Sequence, residues 1–335
     1  MRIGFTYDLR DEYLNLGFSP EQTAEFDSLA TIDAIETALN SPGHEVVRIG
    51  NIRNLCPKLA NGDRWDLVFN IAEGIYGFGR EAQIPALLDA YGIPYTFSDP
   101  LVLSVCLHKG FTKHIARDFQ IPTPDFNIVY EESDVTGISL PYPLFLKPVT
   151  GGTGVGIDSQ SVIRDKTQLT ERCRLLLQRY KQPVLVERFL PGREYTVGIL
   201  GTEQAARAIG CLEIRLKAGS DKKVYSYRNK EFCEELVEYC PVERELAERA
   251  ERLVLEVWRC FGCRDAGRVD FREDHNGCLS FLEVNPLAGL HPTHSDLPII
   301  CQSQGMSYRE LIQGIIHSAG REAIVLPDAH ASALS

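Results

Sequence analysis

No stretch of the chain approaches the roughly 18 uncharged apolar residues that a membrane crossing needs. The opening residues, Met1 to Asp8, turn polar too soon to hold the apolar run of a secretory leader. Internal repeats and low-complexity tracts are missing as well. So is a surplus of positive charge: 35 Lys and Arg face 46 Asp and Glu, a formal net charge of −11. That balance excludes general attraction to nucleic acid or to an anionic membrane, although a local lysine cluster can still hold a small anion. Two familiar nucleotide signatures are absent. No Gly-Lys-Ser/Thr closes a glycine run, and no strand–GxGxxG–helix fingerprint follows the first strand, which disfavours an NAD-binding oxidoreductase. Cysteine is not scarce, at ten residues, but without a leader these read as reduced thiols of a cytoplasmic protein. The close pair Cys260-Phe-Gly-Cys263 reads as a helix end, because Phe261 continues an apolar stripe and Gly262 can stop the helix. A redox or metal motif is the other reading of that pair.

What is present is average in bulk: 44% hydrophobic and 24% charged residues, as in a soluble globular protein. At 335 residues the chain exceeds one compact core, so two or three domains are expected. Apolar runs at 2–7, 45–49 and 65–70 read as buried strands, and 28–39 and 81–91 as helices between them. This alternation predicts a largely parallel sheet, with 92–100 as its last strand and a turn. A second block, from about 101 to 190, opens with one helix carrying Lys109 and Lys113. It continues through strands at 144–148 and 184–187 around a helix at 168–180. The third block has strands at 194–200, 206–213, 267–272 and 279–284. Its long helix places Leu246, Leu253, Val254, Val257 and Trp258 on one face.

Three segments carry chemistry. In Lys147-Pro-Val-Thr-Gly-Gly-Thr-Gly-Val-Gly156 a strand-end lysine precedes four glycines, whose freedom lets successive N–H groups converge on phosphate oxygens, with Thr153 adding a hydroxyl. Alone, such a loop reads equally as a surface turn. In Gly267-Arg-Val-Asp270 and Phe281-Leu-Glu-Val-Asn285, two strands and a polar turn form a hairpin. Asp270, Glu283 and Asn285 can then share a face and offer hard oxygens to Mg²⁺. The bland alternative is a hairpin with solvated acids, but Asp270 and Glu283 sit inside apolar runs, where an unpaired carboxylate is costly. The third segment, Val184 to Glu194, ends a buried strand in Glu187 and leads to a second acid, Glu194. That path suits the adenosine end of a nucleotide, and taken alone it also suits an ordinary salt-bridged loop.

In this order the three segments resemble the ATP-grasp superfamily, and within it the D-alanine–D-alanine ligases. The resemblance covers nearly all of residues 1–320. It rests also on Tyr91-Gly-Ile-Pro-Tyr-Thr, His108-Lys-Gly-Phe-Thr-Lys113, Val186-Glu-Arg-Phe-Leu-Pro-Gly-Arg-Glu-Tyr-Thr-Val197, Phe261-Gly-Cys-Arg-Asp-Ala-Gly-Arg-Val-Asp270 and Leu282-Glu-Val-Asn-Pro-Leu-Ala-Gly289. It implies an α/β fold of ATP-grasp architecture, with three α/β or α+β domains and the nucleotide between the central and C-terminal ones. The implied boundaries are 1–100 for a substrate domain, 101–190 for the central domain with the glycine loop, 191–326 for the C-terminal domain with the metal site, and 327–335 for a tail. It implies an ADP-forming ligase that activates a carboxylate as an acyl phosphate and joins it to an amine. ATP and Mg²⁺, or Mn²⁺ in its place, are the implied cofactors. Amino acids are the implied substrates and a homodimer is the implied assembly, with no nucleic acid or membrane partner.

Residue by residue, the resemblance puts Lys109 and Lys147 on the nucleotide phosphates, under the loop of Gly151, Gly152, Thr153 and Gly154. Glu187 would meet the adenine amino group beside the Leu190 backbone, and Glu194 the ribose. Lys230 matches a mobile-loop lysine that reaches the γ-phosphate. Arg268 matches the arginine that stabilises the acyl phosphate and the tetrahedral intermediate. Glu25 matches the acid on the first substrate's ammonium. Gly289 falls among the substrate-binding positions, and Ser295 matches the serine on the second substrate's carboxylate. Three substrate-side positions depart from the family pattern: Glu73 for a histidine, Glu231 for a tyrosine and Asp296 for an aliphatic residue. The extra acids point to a ligase or cyclase for a different, cationic amino acid or peptide. They are equally explained if one or more point outward to solvent or pair with Arg80, Arg228 or Lys222. A non-catalytic ATP-binding protein is the remaining alternative, and the retained Arg268 and metal ligands speak against it.

Overall fold

The computed structural model describes residues 1–40, 43–220, 226, 229 and 231–323. Its first sheet is parallel, as the strand–helix alternation predicts. Strand β1 (Arg2–Thr6) lies between β2 (Glu45–Gly50) and β3 (Leu67–Asn70), with Ile3, Phe5, Val68 and Phe69 fully buried. Strands covered on both faces need this unbroken apolar character. Helix α1 (Arg10–Asn15) follows β1, and helix α2 (Leu29–Leu39) starts where the Ser28 hydroxyl accepts the Thr31 N–H at 3.3 Å. Helices α3 (Ile52–Ala60) and α4 (Gln83–Ala90) complete the cover. The expected last strand at 92–100 shrinks to a single bridge between Tyr95 and Val68. Phe97 turns the chain out of extended geometry at φ 70°, its N–H taken by the Asp265 carboxylate at 2.7 Å. Asp99 then caps helix α5 (Pro100–Leu107).

The single helix expected around Lys109 and Lys113 is two helices. His108 leaves helical geometry at φ −91° and ψ 91°, and its ring accepts the Phe111 N–H at 3.1 Å to start α6 (Lys109–Asp118). The break puts Lys109 at a helix start, facing the strands beyond.

A second, antiparallel sheet has the order β4 (Phe126–Val129), β7 (Val184–Arg188), β5 (Leu144–Pro148), β6 (Val162–Ile163), with helix α7 (Lys166–Tyr180) packed on it. The third sheet, also antiparallel, runs β10 (Val237–Pro241), β9 (Arg207–Leu216), β8 (Glu194–Leu200), β11 (Ala266–Glu273), β12 (Leu279–Asn285). The helix Arg244–Phe261 buries Leu246, Val254, Val257, Trp258 and Phe261 against it, while Leu253 is half-buried. Each such side chain contributes about 1.5–3 kcal/mol relative to exposure. Gly262 ends that helix at φ 68°, as the helix-end reading of Cys260–Cys263 requires. Among the described residues no helix is long and apolar enough to cross a membrane.

Candidate active site

Hairpin β11–β12 supplies the floor of the site. Its register sets Asp270 opposite Glu283 and Arg268 opposite Asn285, with a bulge after Asp270. Arg268 contacts the Asp270 carboxylate and lies 3.4 Å from Asp296, while Asn285 Nδ2 donates to Asp270 Oδ2 at 3.5 Å. Burial works against the Arg268 charge, but Asp270, Asp296 and Glu283 outweigh it and hold the guanidinium protonated. Two carboxylates and an amide within one hairpin form a hard-oxygen donor set that suits Mg²⁺. That negative charge is balanced by Arg268 and by Lys109, whose Nζ is 3.5 Å from Glu283 Oε2.

The opposite wall comes from the second sheet. Lys147 ends β5, and its Nζ is 3.3 Å from Glu187 Oε1 on the neighbouring strand β7. Lys113, fully buried one turn beyond Lys109, reaches Glu187 Oε2 at 2.8 Å. Burial alone would push the Glu187 carboxyl up, but the two lysines win and hold it below the usual carboxylate range. Two cations on one carboxylate leave a local excess of one positive charge around Glu187. Phe145, Ile157, Phe189, Leu190 and Leu282 give the cleft its apolar faces, Asp270 and Glu283 reach it from the hairpin, and Glu194 lines it paired with Arg272 at 3.0 Å. Such apolar faces beside a few charged groups suit a heteroaromatic ring.

The glycine loop bends over the junction between the two walls. Lys109 Nζ donates to the Gly151 carbonyl at 2.6 Å, and Thr153 sits in the left-handed region at φ 48° between Gly151 at 122° and Gly154 at 72°. The Thr153 hydroxyl oxygen is buried with no hydrogen-bond partner among the described residues, an orphaned group that fits a ligand oxygen. At Gly152 the backbone comes so close to Glu25 that an added Cβ would stand 2.6 Å from Oε1. The Gly152 N–H donates to that oxygen at 2.5 Å.

Beyond Thr153 and Arg268 open two further clefts that share Glu25, Thr153, Arg268 and Gly289; the first also shares Glu283 with the cleft of Lys147 and Glu187. The first contains Glu25, Glu73 and Glu81, with Arg80 Nη2 at 2.7 Å from Glu25 Oε2. The second contains Glu231, Ser295 and Asp296. Ser295 precedes the helix Asp296–Ser303, its Oγ accepting the His291 N–H at 3.0 Å, and only a glycine at 289 leaves it room. Two of the three extra acids have partners within the protein: Glu231 with Arg10 at 3.1 Å, and Asp296 with Arg268 and the Tyr239 hydroxyl at 2.5 Å. Glu73 lies among Glu81, Glu25 and Asp27, with Arg80 the cation near it. Lys230, Arg228 and Lys222 lie outside the described residues.

Lys113, Arg272, Arg80, Glu81, Arg10 and Tyr239 were not singled out as site residues from sequence. A signal existed for Lys113, four residues from Lys109 on a helix, and for Arg272, on the alternating pattern of Arg268 and Asp270.

Glu81 offers a direct check of this electrostatic picture. Burial, set against Arg80 and joined by Glu25, pushes its carboxyl up to about 7. A pKa raised by folding contributes stability that is complete below the unfolded value and is lost as pH rises through about 7. Glu81→Gln removes that titration, so its melting temperature should gain on the wild type between pH 5 and pH 8. Parallel melting curves across that range would contradict the assignment.

Residues 115–317 match the family model described as D-ala D-ala ligase C-terminus. A D-alanine–D-alanine ligase of Aquifex aeolicus is 34% identical over 291 residues, covering 86% of this chain and 94% of the relative. One of Sphingopyxis alaskensis is 33% identical, covering 90% and 95%. The crystal structure of a Bacillus anthracis D-alanine–D-alanine ligase complexed with ATP superposes at a TM-score of 0.74, with 23% identity and 97% of this chain covered.

Proposed function

The chain belongs to the D-alanine–D-alanine ligase family of ATP-dependent, ADP-forming C–N ligases, and on that premise we propose how its own residues carry the reaction. ATP lies in the cleft between the second and third sheets, its base against Phe145 and Leu282, near Glu187 and the Leu190 backbone. Its ribose meets Glu194, and its phosphates meet Lys109 and Lys147. Asp270, Glu283 and Asn285 would hold Mg²⁺, which would supply positive charge to the phosphate oxygens; Mn²⁺ has the same donor preferences. The donor amino acid enters through the cleft of Glu25 and Glu73, and its carboxylate oxygen attacks the γ-phosphorus as ADP leaves. The acyl phosphate hydrolyses readily, so the Gly151–Gly154 loop keeps water out while the Thr153 hydroxyl donates to a phosphoryl oxygen. The acceptor, held by Ser295 at a helix start, attacks the acyl carbon with its amine. Phosphate departs, and Arg268 faces the oxyanion.

The observation that carries this reading is that Thr153 and Arg268 form part of the wall common to the two substrate clefts, and that the donor cleft meets the cleft of Lys147 and Glu187 at Glu283. Positioning two substrates and a phosphoryl group at one junction is worth about 7–11 kcal/mol of barrier. The test is ADP release with single and paired D- and L-amino acids, with the product mass showing loss of one water. ATP turnover with no ligated product from any pair would overturn it.

Lys147→Ala should remain folded, because Lys113 still neutralises Glu187. It removes a buried phosphate-facing charge, so calorimetric ATP affinity should fall at least about tenfold, or 1.4 kcal/mol. Unchanged affinity would place the nucleotide elsewhere.

A further inference from the structure

Three carboxylates, Glu25, Glu73 and Glu81, line the donor cleft, and Arg80 is the cation set among them. Arg80 is committed to Glu25, which also accepts the Gly152 N–H. Lys109, the other nearby cation, donates to the Gly151 carbonyl and pairs with Glu283. Arg268, on the far wall, is held by Asp270 and Asp296. Glu81 is only 8% exposed and makes no ion pair among the described residues. Glu73 lines the same cleft beside it. Two carboxylates offer acceptors alone, so neither can satisfy the other. A cation is wanted between them.

Three carboxylates against one guanidinium leave a formal charge of −2. A donor with an uncharged side chain brings one ammonium, its own carboxylate being directed to the phosphoryl group. One negative charge or one proton then remains buried, at a cost in a site of low polarity. A donor with two ammonium groups cancels the excess. We infer that the donor is a diamino acid, or a peptide presenting two amines, whose side-chain ammonium lies between Glu73 and Glu81. This rests on the ligase reading. Glu231 and Asp296 call for no such cation, since the protein supplies their partners.

The test compares alanine with 2,3-diaminopropionate, 2,4-diaminobutyrate, ornithine and lysine, both enantiomers of each, as donors to a fixed acceptor. At pH 8, one diamino acid should exceed alanine in kcat/KM by at least about tenfold, and Glu81→Gln should bring that ratio toward one. Calorimetry of the wild type at pH 6, below the value of about 7 to which the Glu81 carboxyl is pushed, in two buffers of different ionisation enthalpy should show about one more proton released by the diamino acid than by alanine. That measurement does not depend on the variant folding. Alanine performing as well as every diamino acid would overturn the inference while leaving the ligase intact, as would equal proton release. ADP release with no amino acid at all would remove the ligase reading and this inference together.

Discussion

Glu283→Gln is expected to fold normally and to lose at least about 100-fold in turnover, roughly 2.7 kcal/mol of barrier. Glutamine keeps the volume and the place opposite Asp270 in the hairpin register. Lys109 retains the Gly151 carbonyl as acceptor, so no buried ammonium is left without a partner. What disappears is one of two carboxylates offered to the divalent cation, and raising the Mg²⁺ concentration should restore part of the rate. The measurement is kcat over a series of free Mg²⁺ concentrations, with melting curves to confirm the fold. Wild-type turnover at low Mg²⁺ would remove Glu283 from the metal site.

Arg268→Lys should cost more in kcat, about 10²–10³-fold, with the KM for ATP little changed. Alanine is the wrong replacement, because Asp270 and Asp296 would lose the cation that balances their buried charge, a loss of about 3–5 kcal/mol. Lysine keeps the charge and gives up the planar fork that can serve two carboxylates and an oxyanion together. The effect should therefore fall on the chemical step. Steady-state kinetics separates the outcomes: a raised KM for ATP with normal kcat would make Arg268 a nucleotide ligand and leave the oxyanion without a donor.

The parts of this site that could be read from sequence are those written in local repeat patterns. Alternation along 267–272 and 279–284 gave the hairpin and put Asp270 with Glu283, and the glycine spacing after Lys147 marked a loop of unusual backbone angles. The break at His108 was hidden, because a histidine ring capping the next helix looks like any helical residue in a run of periodic apolar positions. The strand expected at 92–100 was lost to the same blindness, since what ends it is a carboxylate 168 residues away. Long-range pairing likewise explains why the three extra acids could not be sorted. Arg10 meets Glu231 across 221 residues, and no spacing rule reports that contact. The crowding of Glu73 and Glu81 against Arg80 has a nearer signal, a charged doublet just ahead of a helix, but its burial is a property of the whole fold.

The β11–β12 hairpin has a consequence for how this chain tolerates change in length. Arg268, Asp270, Glu283 and Asn285 come from a single ladder, so the rungs of the backbone fix their spacing. Adding one residue inside either strand would turn every side chain beyond it to the opposite face and dismantle the set at once. The tip is another matter: Asp274 closes the turn through its own carboxylate, 274–278 projects from the sheet, and His275, Asn276, Gly277 and Cys278 are exposed. Residues inserted there displace nothing beneath them. A library of random insertions, selected for activity, should therefore accumulate them at the tip and leave 266–271 and 281–285 without a single one.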